Sequence, residues 1–185
     1  ISSVLPIKAD TRALFNPYTN YFYYLSIAFL PIMLLMFVLT GTIYAIGSEF
    51  KYKRAGNWIE TAHGSIFRAL SAKLIPYVVV FLLLALAMNV VIFYFYHTPL
   101  NGNVLTLIYN AILFILSYIS MGIVIIAIFP SMRMALSVAA IYSALAFTMS
   151  GLTFPHMAME PIVQFVAQLF PFTHYLKVFI DQSLV

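Results

Sequence analysis

The sequence predicts an all-α fold, a polytopic transmembrane helix bundle with four spans and short re-entrant or interfacial helices at its outer end. Three observations predict it. The mean hydropathy is +1.02 with only 8% of residues charged, too few polar groups to cover the apolar surface of a water-soluble domain. Long apolar runs alternate with short polar loops. The last stretch, residues 153–185, is apolar but broken by Pro155, Pro161 and Pro171 into pieces too short to span.

Residues 1–16 read as the end of an extracytoplasmic domain, with the mixed β-branched and charged run 1–12 resembling its last strand. The chain starts at Ile1 without Met or a signal-peptide pattern, as a piece of a longer polypeptide would. The transmembrane domain is expected over 17–185. Asn16-Pro17 makes a turn. Tyr18, Tyr21, Tyr23 and Tyr24 suit the headgroup layer, where an apolar ring with a polar tip is at home.

The first span is expected over 24–46, with Pro31 kinking it or ending its first turn. The second is expected over 74–96, with Pro76 in its first turn. A turn-rich loop around His97 to Asn103 leads to the third, 104–129, which Pro130 ends. The fourth is expected over 134–152, and 153–185 forms the outer re-entrant segment.

Positive charge sets the orientation. Lys51, Lys53, Arg54, Arg68 and Lys73 lie in the loop 47–73, and Arg133 lies between the third and fourth spans. The loop between the second and third spans has none. The positive-inside rule puts the basic loops in the cytoplasm and both ends of this chain outside.

What is missing narrows the function. From Leu74 to Met132 there is no Asp, Glu, Lys or Arg, and the first and fourth spans also lack them. Ion-coupled transporters and proton pumps mark their path with such groups, so energy for any transport must come from outside the bundle. The neutral polar groups within the spans are Thr40, Thr42, Asn89, Asn110, Ser117, Ser120, Tyr142, Ser143 and Thr148. Hydrogen bonding between helices is the favoured role for most of them. Asn89 and Asn110 remain candidates for lining a pathway, because an amide in hydrocarbon must find a partner. No phosphate-binding glycine loop is present, and His63, His97, His156 and His174 lack metal-ligand spacing. With no cysteine, thiol chemistry is excluded. The net charge of +4 points to neither nucleic acid nor an acidic substrate.

Within the loop 47–73, Trp58, Ile59, Ala62, Ile66, Phe67 and Leu70 recur at helical spacing, with Glu60 and Arg68 off the stripe. His63-Gly64-Ser65 divides it into a short helix over 55–62 and a second helix capped by Ser65. Physical reasoning leaves two roles for the short helix equally open: a passive membrane-surface helix beside anionic lipid, or a docking surface.

Several segments in order resemble the ABC-2 type permease family, the membrane subunits of ATP-driven exporters. They are RALFNP (Arg12–Pro17), Glu49 with Gly56, Trp58-Ile59-Glu60 and Ala62, AKLIPY (Ala72–Tyr77), SGLTFPHMAMEP (Ser150–Pro161) and FPFTHYLKVFIDQ (Phe170–Gln182). The subgroup most similar has a large extracytoplasmic domain and is associated with drug or small-molecule efflux. The resemblance implies a six-helix permease in a cell inner (plasma) membrane, of which this chain holds helices two to five. It implies a dimer of permeases on an ABC ATPase subunit that carries ATP and Mg, with no cofactor in this chain, and a periplasmic adaptor protein as a further partner. It makes Gly56, Asn57, Trp58, Ile59, Glu60, Thr61 and Ala62 the helix that couples to the ATPase. It places Phe154, Pro155 and Pro161 at an outer gate. The chain departs from the family pattern in having Asn57-Trp58 where many members have Gly-Thr.

Three rivals stand beside this reading. A secondary transporter or channel needs buried charges that the spans lack. An intramembrane serine enzyme would use Ser150 with a base such as His156, and nothing in the spacing brings them together. A membrane anchor for the external domain would not need four spans.

Overall fold

The computed structural model describes residues 21–95, 100, 102–152 and 159–184. The expected strand, the Tyr18 anchor, His97, Phe154, Pro155 and His156 lie outside these residues. Within them the chain is helical: α1 (Tyr21–Lys51), α2 (Ala55–Thr61), α3 (Ile66–Val90) continued by a π-helical turn (Val91–Phe95), α4 (Val104–Ile128), α5 (Met132–Thr148), α6 (Pro161–Gln168) and α7 (Pro171–Leu184). By length and composition, three helical segments are able to cross a membrane: Phe29–Lys51, Ile66–Phe95 and Val104–Ile128. The fourth expected span is a helix of 17 residues, about 25 Å long at 1.5 Å per residue and short for the hydrocarbon core. It stops early because Gly151 has φ +88°, a left-handed backbone that ends a helix, and Met149 and Ser150 close the last turn.

The prolines act differently from the sequence expectation. α1 begins ten residues before Pro31 and continues for twenty after it, so Pro31 does not end a first turn. Pro76 is deep inside α3, because the helix starts at Ile66, where Ser65 accepts a hydrogen bond from the Arg68 N–H at 3.4 Å. The missing N–H of an interior proline is tolerated in an apolar helix where neighbouring helices and local adjustment satisfy the freed carbonyl.

α1 is the central helix, packed on α3, α4 and α5. Leu35, Val38, Leu39, Thr42, Ile43 and Ile46 are buried along it at the three- and four-residue spacing of one helix face. α4 presents the complementary stripe of Phe114, Ile115, Tyr118, Ile119, Ile125 and Ile126. The two helices approach closely at Gly122, where an added Cβ would lie 3.0 Å from Thr42 Cβ and Cγ2. Small residues permit such close approach, and in a membrane dispersion contact is the main force between helices.

α7 is inserted beside α4 and antiparallel to it. At its start the Phe172 N–H donates to the Tyr118 hydroxyl at 3.2 Å; further along, the Asn110 side-chain N–H donates to the Tyr175 carbonyl at 3.0 Å. At its end the Asn103 N–H donates to Gln182 Oε1 at 2.8 Å. Phe172, Tyr175, Leu176 and Phe179 are buried, and the Phe114 and Tyr175 rings stand 4.4 Å apart. α7 therefore begins about fifteen residues down α4 and runs back along it, a path that a re-entrant helix would take. α6 is the opposite case, exposing Ile162, Phe165 and Leu169 as an interfacial helix does.

Most hydroxyls within the helices do not bridge helices. Thr40, Thr42, Ser120 and Ser143 donate to the carbonyl four residues back on their own helix, at 2.6, 2.7, 2.9 and 2.7 Å. Thr148 reaches back three residues to Leu145 at 3.0 Å. A short hydroxyl always has its own helix carbonyl in reach, so it needs no second helix. The longer Asn110 and Tyr118 side chains make the bridges.

Candidate functional site

The basic end is built where α1, α2 and α3 meet. α1 closes through Glu49 and Lys51, and Lys53 turns the chain with φ 55°. The Arg54 N–H donates to the Glu49 carbonyl at 2.9 Å, which fixes the start of α2 against the end of α1. α2 ends in a Schellman turn: Gly64 N–H donates to Ile59 O at 3.0 Å and His63 N–H to Glu60 O at 2.9 Å. His63 at φ 55° and Gly64 at φ 75° are both left-handed. The break expected at His63-Gly64-Ser65 thus has a defined geometry, and Ala62 is the helix's last cap rather than a helical residue.

One ammonium ties the three helices together. Lys73 on α3 forms an ion pair with Glu49 on α1, the two side chains being 20% and 16% exposed. Its Nζ also lies 5.1 Å from the centre of the Trp58 ring on α2, within cation–π range. Lys73 is thus shared between a carboxylate and an indole face.

This arrangement gives α2 two faces. Ala55, Trp58, Ile59 and Ala62 are half-buried toward the bundle, whereas Gly56, Asn57, Glu60 and Thr61 are exposed. A Cβ added at Gly56 would meet nothing within 4 Å, so the fold does not demand glycine there. The apolar stripe expected to run on through Ile66 and Phe67 breaks at the turn. Both are exposed, Phe67 by 80%, because the two left-handed residues rotate α3 relative to α2.

The two asparagines part company. Asn110 is buried and satisfied by the Tyr175 carbonyl. Asn89 Oδ1 is buried without a hydrogen-bond partner, two residues before the π-helical segment. Asn89 lines an apolar cavity of about 290 Å³ with Leu86, Phe93, Tyr94, Leu107 and Ile108.

A family model for ABC-2 family transporter proteins matches residues 1–184. The chain belongs to the ABC-2 transporter family. It is a membrane transport subunit, and catalysis is not its part in the family. Neither the curated proteins nor the solved structures gave a match.

In this ABC-2 chain the remaining predicted site residues are placed as follows. Pro161 is the first residue of α6, with Glu160 at the N-cap position. That suits proline, whose missing N–H would be unpaired there in any case. The Ser150 hydroxyl donates to the Phe147 carbonyl at 2.6 Å, which closes the end of α5. Among the described residues no cluster of His, Asp or Glu could hold a metal ion. Sequence reasoning missed the joint role of Glu49 and Lys73. They are 24 positions apart, and only the antiparallel return of α3 beside α1 brings them together. It also missed the π-helical turn, whose one-residue excess leaves no mark in an unbroken apolar run.

Proposed function

We propose that this ABC-2 chain forms the translocation path for a hydrophobic or amphipathic small molecule, powered by a partner ABC ATPase subunit that holds ATP and Mg. The observation that carries the proposal is the junction of Glu49, Lys73 and Trp58, which fastens α2 to α3 and, through Lys73, α3 to α1. A force on α2 is then delivered to α1 and α3 together. Gly56, Asn57, Glu60 and Thr61 meet the ATPase, while Trp58 and Ile59 hold α2 on the bundle. Closure of the ATPases on ATP shifts the bundle between two states and opens a path between this chain and a second permease copy, a coupling that requires differential contact with each state. The α6–α7 segment, which begins at Pro161, borders the outer gate together with Phe154 and Pro155, which precede it in the sequence. Asn89, with its unpaired acceptor, is the better candidate of the two asparagines for contact with the transported molecule. A periplasmic adaptor protein receives the molecule, and both ends of this chain face outside the inner membrane.

Replacing Trp58 and Glu60 in the full-length protein, and measuring ATPase activity of the assembled complex with substrate efflux, tests the coupling. Loss of efflux with altered ATPase activity is expected. Unchanged values for both would remove α2 from the mechanism.

A further inference from the structure

A cavity of about 620 Å³ opens at the basic end, between the end of α1 and the start of α5. Phe50, Lys51, Ser131, Arg133, Met134 and Leu136 line it. Two cations from different helices, Lys51 and Arg133, therefore share one hollow, and both are exposed. The Lys51 ammonium stands 5.5 Å from the Tyr52 ring. No carboxylate among the described residues pairs with Lys51 or Arg133, and the Ser131 hydroxyl makes no capping hydrogen bond. The apolar side of the hollow is open as well: Phe50 is 42% and Met134 54% exposed.

We propose that this cavity binds the phosphate headgroup of an anionic phospholipid. The cavity pairs unneutralised cations with an apolar flank. A phospholipid presents the same pairing, a phosphate above the start of two acyl chains. Basic pockets between helices on the cytoplasmic side favour anionic headgroups, and the planar guanidinium of Arg133 suits two phosphate oxygens at once. The long Lys51 stem lets its ammonium reach the headgroup level while its methylenes stay on apolar surface. The pliable Met134 side chain accommodates the first acyl methylenes. An acidic segment of a partner protein fits less well, since it would leave Phe50, Met134 and Leu136 without apolar cover. The proposal relies on the basic end facing the cytoplasmic leaflet.

The test is lipid retention by the full-length protein in vesicles and nanodiscs of phosphatidylcholine with and without phosphatidylglycerol, read by native mass spectrometry. Phosphatidylglycerol should be retained in preference to phosphatidylcholine. Lys51→Gln and Arg133→Gln should each weaken retention about fivefold, and the double variant about thirtyfold, whereas Lys51→Arg with Arg133→Lys keeps most of it. Equal retention of the two lipids, or no loss in the double variant, would overturn the proposal. Displacement of the lipid by millimolar inorganic phosphate would assign the cavity to a soluble anion and also overturn it. So would loss of the ATPase subunit from the purified complex with lipid retention unchanged. The chain has no cysteine, so labelling of Arg133→Cys from either side of the membrane tests the orientation separately. A wrong orientation would move the label without touching retention.

Discussion

The Lys73 ammonium lies 5.1 Å from the centre of the Trp58 ring while also pairing with Glu49. Removing the indole frees α2 from α3 but leaves the ion pair. Trp58→Ala should cost about 1 kcal/mol of local stability and uncouple efflux from ATP hydrolysis. Trp58→Phe keeps a weaker ring face and should fall between the two. The ratio of substrate exported to ATP hydrolysed in reconstituted vesicles checks this, and equal ratios for all three proteins would refute it.

Gly56 separates folding from docking. Nothing surrounds its missing side chain, and alanine in a helix is favoured over glycine by about 0.5–1 kcal/mol. Gly56→Ala should leave thermal stability unchanged or slightly raised. If a partner backbone packs on this face, the same change lowers affinity for the ATPase subunit. Co-purification yield beside a melting curve reads both, and a fall in stability would show that the residue serves the fold instead.

His63 holds a left-handed conformation that costs an L-residue about 1 kcal/mol. His63→Gly should stabilise the α2–α3 turn by that order, and a β-branched His63→Val should destabilise it by more. Amide hydrogen exchange at Gly64 and Ser65 reports the change, with faster exchange expected in the valine variant.

Asn110 and Asn89 should respond in opposite senses. Asn110→Leu removes the hydrogen bond to the Tyr175 carbonyl that joins α4 to α7, at a cost of about 0.6–2 kcal/mol. Asn89→Leu removes an acceptor that has no partner and should raise stability by about 1 kcal/mol. Efflux should nevertheless fall in Asn89→Leu. A variant that is both more stable and fully active would dismiss Asn89 from the pathway.

Close packing at Gly122 gives a steric prediction. Gly122→Ala brings a methyl group to 3.0 Å from Thr42, so α1 and α4 must separate or shift. Overpacking of this kind costs about 1–3 kcal/mol, and the compensating Thr42→Ala should recover part of it. Thermal unfolding of the four proteins in one detergent completes the cycle.

Much of the helical layout was legible in the sequence because its causes are local. The run 104–129 and Pro130 define α4 almost to the residue. Ser65 announces the start of α3, and His63-Gly64 the break before it, because capping and left-handed turns involve neighbouring residues. The length of α3 was misjudged for the same kind of reason. Arg68 and Lys73 look like a loop by composition, yet they extend the helix beyond the apolar core. The short tail helices were legible as short. Which of the two is wedged into the bundle and which lies on it was not, since hydropathy does not distinguish these cases.

The sequence by itself determined that this protein is a helical membrane bundle, where α4 starts and stops, and that the apolar run from Leu74 to Met132 carries no Asp, Glu, Lys or Arg. These follow from hydropathy, proline placement and caps, which act within a few residues. Only the tertiary structure decided that Glu49, Trp58 and Lys73 form one junction, that Tyr118 and Asn110 hold α7 inside the bundle, and that Lys51 and Arg133 face one cavity. Each depends on the register between helices far apart in sequence. That register is set by the fit of side chains such as Gly122 against Thr42, which no single segment encodes.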